Sequence, residues 1–131
     1  MGLSRFALGH PGTPLRRQLV EAVLRGLKTA TASLLTDYVP YTEEPLPIVG
    51  QRYRMVGFDD ETIGIVETTE VLIVPAAKVD LQFARDEGEG FETVADWRTA
   101  HERFWSDRKI TDETRIVCER FRLVDVLTQR V

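Results

Sequence analysis

One long β-forming segment constrains the fold of this chain more than any other feature. Residues 62–74 read TIGIVETTEVLIV, a run rich in β-branched residues that Pro75 ends. A second long segment of this kind, TRIVCERFRLVDVL, occupies residues 114–127. Long strands that outnumber the helices favour an α+β domain in which helices flank a small β-barrel or a curled sheet.

Other elements fit around these two strands. Residues 51–58 predict a further strand, which a polar turn joins to the long strand as a hairpin. The first helix is clearer, because Thr13 can cap it and Pro14 suits its first position. Its apolar residues recur at helical spacing, and Gly26 is a natural end. That apolar stripe consists of Leu15, Leu19, Val23 and Leu24, with Arg16, Arg17 and Glu21 outside it.

Two more helices are expected in the second half of the chain. A short one covers residues 80–87 and stops at Gly88. Thr93 and Asp96 have the spacing of a capping box, which predicts a helix from about 94 to 106. Its aromatic face should pack against the sheet, and a single histidine there is usually a hydrogen-bonded core residue. That face carries Val94, Trp97, His101, Phe104 and Trp105.

Length, charge and cysteine content limit the functional class. The 131 residues make one domain by length, which we assign to residues 1–131. Cys118 is the only cysteine, as expected for a reducing cytoplasm, and no apolar run approaches the ~18 residues that span a membrane. The first residues lack a secretory apolar core. The net charge of −4 disfavours broad coating of nucleic-acid phosphates.

The segment after the first helix, GLKTATASLL at residues 26–35, combines a cation with hydroxyls and very small side chains. A lysine beside a hydroxyl can activate a nucleophile or stabilise an oxyanion, and small neighbours leave room for a ligand. The alternative is a helix C-terminus that favours a cation, followed by an ordinary strand. In a continuous strand Lys28 and Thr31 point to opposite faces, so one cavity can contain both only if the turn or a bulge redirects one.

Two acidic segments are further candidates. Glu67 lies within an apolar strand, where a carboxylate needs a partner or solvent. The segment EGEGF at residues 87–91 places two glutamates in a loop that could hold a general base, although residue chemistry alone favours a helix C-cap followed by a solvated turn. No zinc, calcium, dinucleotide or phosphate-loop motif is present, so we expect neither a metal nor a cofactor.

Taken together, these blocks resemble the ASCH-domain proteins from about residue 6 to 125. The resemblance rests on GLKTATASLL, PLPIVGQRYRMV, IVETTEV, VDLQFARDEGEG, WRTAHERFW and IVCERFRLV, in this order. It implies a PUA-like β-barrel and an association with RNA or nucleosides. Members of the family include small amidohydrolases that remove the acetyl group from N4-acetylcytidine, and others have been assigned single-strand ribonuclease activity.

The resemblance also implies roles for individual residues. By motif, the catalytic lysine, threonine and glutamate of the amidohydrolases match Lys28, Thr31 and Glu87, with Glu89 as the alternative carboxylate. Thr29, Ser33, Glu67, Glu89 and Phe91 are the expected substrate-binding residues. Phe91 stands where many relatives carry an acidic residue, and His10 stands where an acidic residue is usual.

The leading hypothesis is therefore metal-independent hydrolysis of an N4-acylated cytidine or cytosine, or of a related modified nucleoside. An RNA-binding module that stacks bases on Tyr53, Trp97 or Phe91 is the first alternative. Metal-independent cleavage of single-stranded RNA is the second. The expected partner is a small modified nucleoside or single-stranded RNA, with no membrane, and the sequence leaves the oligomeric state open.

Overall fold

The computed structural model describes residues 3–128 as a five-stranded sheet with three α-helices. The strands are β1 (Arg5–Phe6), β2 (Ala30–Leu34), β3 (Arg52–Val56), β4 (Thr62–Pro75) and β5 (Arg115–Val126). The helices are α1 (Pro14–Leu24), α2 (Leu81–Asp86) and α3 (Val94–Phe104). Short 3-10 turns cover Leu35–Asp37 and Ala76–Lys78.

The sheet has the order β1-β3-β4-β5-β2. β1 is parallel to β3, and the other neighbours are antiparallel. The register of β4 against β5 shifts between Ile65 and Val66 and again between Thr68 and Glu70. Bulges of this kind increase local twist, and the sheet curls into half of a barrel. The expected α+β, PUA-like architecture is thus confirmed.

Two clusters of buried residues make the core, one on each side of the curled sheet's long strands. The first packs α2 and α3 against β5 and contains Phe83, Trp97 and Ile116. The second packs α1 against the β3–β4 hairpin and contains Val20, Met55 and Phe121. The α1–β2 segment therefore runs from one cluster to the other.

Most predicted boundaries agree with the structure to within two residues. The caps are as expected, since the Thr13 side chain accepts from the Arg16 amide and the Thr93 side chain accepts from the Asp96 amide. Arg16 is a correction, because it is buried rather than outside the packed face. Its guanidinium donates to the carbonyls of Leu8, Gly9 and Gly57.

Phe104 is a second correction. Trp97, His101 and Trp105 are spaced by four residues and are buried, whereas Phe104 is 49% exposed. At about 100° per residue, Phe104 lies on nearly the same side of α3 as Trp97, but it is the last residue of the helix and lines a cavity instead of packing in the core. Among residues 3–128, no helix is both long and apolar enough to cross a membrane.

Candidate functional site

The turn between α1 and β2 brings Lys28 and Thr31 to the same cavity. Gly26 has a φ of 76°, and the amides of Leu27 and Lys28 both donate to the Ala22 carbonyl. The chain then becomes regular only at Ala30, so Lys28 precedes the strand instead of alternating within it. The expected redirection of one side chain is therefore made by the turn.

The cavity has a volume of about 570 Å³ and lies between this turn, the segment after β1, and α3. A second cavity of about 300 Å³ adjoins it, and the two share Ala7, Leu8, Thr31, Ala32, Ser33 and Asp37. Together they form one cleft with Thr31 and Ser33 at its middle. All three residues expected to be catalytic, Lys28, Thr31 and Glu87, line the larger part.

The loop after α2 packs directly onto the Lys28 turn. The Thr29 amide donates to the Asp86 carbonyl at 2.8 Å. Gly88 has a φ of +72°, and a Cβ there would lie 2.5 Å from the Leu27 carbonyl oxygen. Only glycine permits this approach, because it tolerates positive φ and has no side chain to collide. Gly88 therefore allows the loop to pack against this turn, which places Glu87 and Glu89 beside Lys28.

Lys28 is a buried cation surrounded by acceptors. Its Nζ donates to the carbonyl oxygens of Ala30 at 2.8 Å and Glu87 at 3.2 Å. The carboxylates of Glu87 and Glu89 lie 3.7 and 3.9 Å from the same nitrogen. Burial lowers the pKa of Lys28 below its ordinary value, and the two carboxylates offset only part of that effect. The ammonium group therefore loses its proton more readily than that of a surface lysine.

Glu87 is held by α3 on its other side. Its Oε2 accepts a hydrogen bond from the Trp97 indole and lies 3.3 Å from His101 Nε2. His101 Nδ1 in turn lies 2.8 Å from the Trp97 carbonyl. Because one ring nitrogen faces a carbonyl and the other a carboxylate, both are suited to donate, which favours the imidazolium form. Oε1 of Glu87 faces Lys28.

The pKa of His101 follows from this geometry. Burial alone would lower it, but the hydrogen bond and charge of Glu87 outweigh burial and raise the pKa above its ordinary value. Burial also raises the pKa of Glu89. Lys28, Glu87, Glu89 and His101 thus form a buried cluster of two cationic and two anionic groups, which can ionise together without net charge.

Three members of this cluster could in principle bind a metal ion. One ligand atom from each of Glu87, Glu89 and His101 lies within 4.8 Å of the others. A divalent cation would, however, be repelled by the Lys28 ammonium beside both carboxylates, and it would compete with a proton for His101. The arrangement suits an internal ion-pair cluster better than a metal centre.

The expected substrate-binding residues divide into two groups. Ser33 and Glu89 line the cleft, and Ser33 shares a 2.7 Å hydrogen bond with the Tyr38 hydroxyl. Thr29 is exposed and is not part of the cleft lining, and neither is Phe91, which packs against His101 with ring centroids 5.8 Å apart. Glu67 also lies elsewhere.

Glu67 belongs to an ion-pair group on the outer face of the sheet. Its carboxylate accepts from Arg52 at 3.0 Å and contacts Arg122 at 3.4 Å. The Arg52 hydrogen bond lowers the pKa of Glu67, as expected for a solvated ion pair. Arginine side chains therefore supply the partner that the Glu67 carboxylate requires. Since Glu67 lines neither cavity, we leave it outside the candidate site.

Sequence reasoning missed three residues of the cleft. His101 is the buried, hydrogen-bonded histidine that was expected, but it also lines the larger cavity, as does Phe104, which was expected to be a core aromatic. Glu119 was not singled out, although it lines the smaller cavity. Only its position between Val117 and Phe121, the apolar residues on the same face of the strand, could have indicated a buried carboxylate.

The family model described as the ASCH domain matches residues 7–125 of this chain. The chain belongs to the ASCH-domain family. The match begins directly after β1 and ends within β5, and it includes Lys28, Glu87, Glu89 and His101.

Two solved structures resemble the chain closely. The protein EF3133 from Enterococcus faecalis V583 is 30% identical, with a TM-score of 0.84 over 97% of this chain and 79% of its own. The ASCH domain from Lactobacillus crispatus JV V101 is 28% identical, with a TM-score of 0.82 over 95% of this chain and 80% of its own.

A more distant ASCH structure shares only the fold. A mutant of ZmASCH from Zymomonas mobilis is 13% identical, with a TM-score of 0.51 over 80% of this chain and 63% of its own. No curated protein matches the chain significantly.

Proposed function

We propose that this ASCH domain is a metal-independent amidohydrolase that removes the acyl group from an N4-acylated cytidine, cytosine or related nucleoside. The observation that carries the proposal is the buried Lys28–Glu87 pair in the cleft that Thr31 also lines. Such a site offers a nucleophile, a proton carrier and a cation for a developing oxyanion.

The first step forms a tetrahedral intermediate. Thr31 Oγ1 bonds to the acyl carbon, the carbonyl π electrons move to oxygen, and the hydroxyl proton passes to Glu87 Oε1. The Lys28 ammonium stabilises the oxyanion, since its charge is held in a buried position before the reaction begins. Trp97 and His101 contribute by holding Glu87 Oε2, which leaves Oε1 for the proton.

The second step releases the base. The tetrahedral intermediate collapses, the C–N4 bond breaks, and the proton on Glu87 goes to N4, which leaves as the amino group of cytosine. Water then attacks the carbonyl carbon of the Thr31 ester and gives one proton to Glu87. When this second tetrahedral intermediate collapses, the C–Oγ1 bond breaks and Glu87 returns the proton to Thr31 Oγ1. The products are the carboxylic acid and the deacylated nucleoside, and Thr31 regains its hydrogen. Because burial lowers the pKa of Lys28, its ammonium group can also donate a proton more readily than that of a surface lysine when N4 leaves.

The charge of the cleft favours a neutral substrate over a polymer of phosphates. Its basic groups are Arg5, Lys28, Arg103 and the His101 imidazolium, and five acidic residues line the same two cavities: Asp37, Glu44, Glu87, Glu89 and Glu119. A phosphodiester needs a basic surface. RNA binding and RNA cleavage are therefore the second-ranked candidates.

Product analysis tests the proposal. The protein is incubated with N4-acetylcytidine, and separately with single-stranded RNA, both in EDTA. We expect cytidine and acetate in equal amounts and intact RNA. Glu87→Gln should reduce turnover by more than ~10²-fold, as loss of a general base does, while Glu89→Gln should reduce it less. RNA fragments without cytidine release would overturn the proposal, and the opposite ranking of the two glutamate variants would move the proton carrier to Glu89.

A further inference from the structure

The smaller cavity contains a buried carboxyl group that the proposed reaction does not use. Glu119 is 5% exposed and lines this cavity with Tyr38 and Tyr53. It lies directly opposite Thr31 in the antiparallel β2–β5 pair. Residues in such a pair point to the same face, so the Glu119 side chain is next to the proposed nucleophile.

The contacts of Glu119 leave part of its carboxyl group for a ligand. Oε2 accepts a hydrogen bond from Thr68 Oγ1 at 2.7 Å. Within residues 3–128, no lysine, arginine or histidine forms an ion pair with Glu119, in contrast to Glu67 and Glu87. Burial raises its pKa above the ordinary value, and the Thr68 bond opposes that effect only in part. A buried carboxyl without a cation is costly unless something else satisfies it.

We propose that the smaller cavity is the base-recognition subsite, in which Glu119 hydrogen-bonds the amide-like edge of a pyrimidine. This inference rests on the proposed function, because it places the base of the substrate beside Thr31. A carboxyl group in its neutral form offers one hydrogen-bond donor and one acceptor. N3 and N4–H of a cytosine offer one acceptor and one donor side by side, so the two edges are complementary.

The walls of the cavity suit a flat ring. Tyr38 and Tyr53 are half-buried there, and aromatic side chains commonly stack unpaired bases. Pro45 and Pro47 complete an apolar rim. With a volume of about 300 Å³, the cavity can accept one ring, and the acyl group would extend toward Thr31 and the larger cavity.

Direct binding tests this subsite without relying on turnover. Cytidine, the product of the proposed reaction, and N4,N4-dimethylcytidine, which lacks the N4–H donor, are titrated into the protein by calorimetry. Wild type should bind cytidine ~10-fold or more tightly than the dimethyl compound, as a two-bond base contact does. Glu119→Ala should remove this preference. Glu119→Gln should keep most of it, because an amide also offers a donor and an acceptor.

Glu70→Gln is the matched control, since Glu70 pairs with Arg120 and lines neither cavity; it should bind both ligands as wild type does. A cytidine preference that survives in folded Glu119→Ala, or no cytidine binding at millimolar concentration, would overturn the inference. If either of these results is found while the protein still hydrolyses N4-acetylcytidine, the subsite is wrong but the proposed function stands. If the preference for cytidine depends on Glu119 but N4-acetylcytidine is not hydrolysed, the subsite stands and the proposed reaction is wrong.

Discussion

At the scale of single residues, the site depends on keeping charges buried and balanced. Lys28 is 2% exposed and Glu87 is 1% exposed, so neither can rely on water for its solvation. Each instead uses protein groups, Lys28 through two carbonyls and two carboxylates, and Glu87 through Trp97 and His101. Removing one member leaves the others uncompensated.

Lys28→Met should therefore abolish turnover and also lower stability. Methionine nearly matches the length of lysine but removes one of the two cations beside the buried Glu87, and breaking such a pair costs about 3–5 kcal/mol. Chemical denaturation measures the loss, and N4-acetylcytidine turnover measures activity. Arg25→Met is the control. Arg25 is the exposed C-cap of α1, three residues before Lys28, and its substitution should change neither stability nor turnover. A folded Lys28→Met protein with wild-type activity would remove Lys28 from the mechanism.

His101 predicts a dependence of stability on pH. Its pKa is raised in the folded protein, so its stabilising contribution is complete below the unfolded pKa of about 6.5 and is lost as pH rises through the folded pKa. The difference in unfolding free energy between wild type and His101→Gln should shrink from pH 6 toward pH 8.5. Denaturant titrations across that range measure it. A difference that is constant with pH, or grows, would contradict the charged Glu87–His101 contact.

At the scale of secondary-structure elements, the long strands, the helix caps and the α1–β2 turn were predictable because local signals specify them. The positions of Lys28 and Thr31 relative to each other were not, since they depend on how the turn packs under the EGEG loop. The contact of His101 with Glu87 was not predictable for a related reason. Helical spacing shows that it lies with Trp97, but only the tertiary structure brings Glu87 to its Nε2.

The two aromatic residues of α3 with different burial give a test of this element. Trp97 is fully buried, so Trp97→Ala should destabilise by about 3–5 kcal/mol, as large core truncations do. Phe104 is half-exposed in the cleft beside His10, and Phe104→Ala should cost under ~1 kcal/mol. Thermal or denaturant unfolding compares them. Equal losses would show that the packing of α3 described here is wrong.

At the scale of the whole molecule, net charge separates a nucleoside from a polymer. The chain carries 17 basic and 21 acidic residues, and the cleft itself contains more carboxylates than cations. A protein that neutralises 6–10 phosphates loses about 10³–10⁵-fold in affinity between 50 and 200 mM salt. This molecule has no comparable basic surface in its cleft.

We therefore expect weak binding to single-stranded RNA, and nucleoside turnover that changes little over the same salt range. Fluorescence anisotropy with labelled RNA measures the first quantity, and N4-acetylcytidine hydrolysis at 50 and 200 mM salt measures the second. The neutral nucleoside is its own control, since it releases no counterions. Tight RNA binding with a steep salt dependence, together with no turnover, would promote the RNA-binding function.

The most direct test of the catalytic account compares three substitutions in one short segment. Thr31→Ala should abolish hydrolysis of N4-acetylcytidine, and Thr31→Ser should retain part of it, because serine keeps the hydroxyl. Thr29→Ala is the matched control, since Thr29 is two residues away, exposed and outside the cleft lining, and it should leave kcat/KM unchanged. An active Thr31→Ala protein, or an inactive but folded Thr29→Ala protein, would contradict the assignment of Thr31 as the nucleophile.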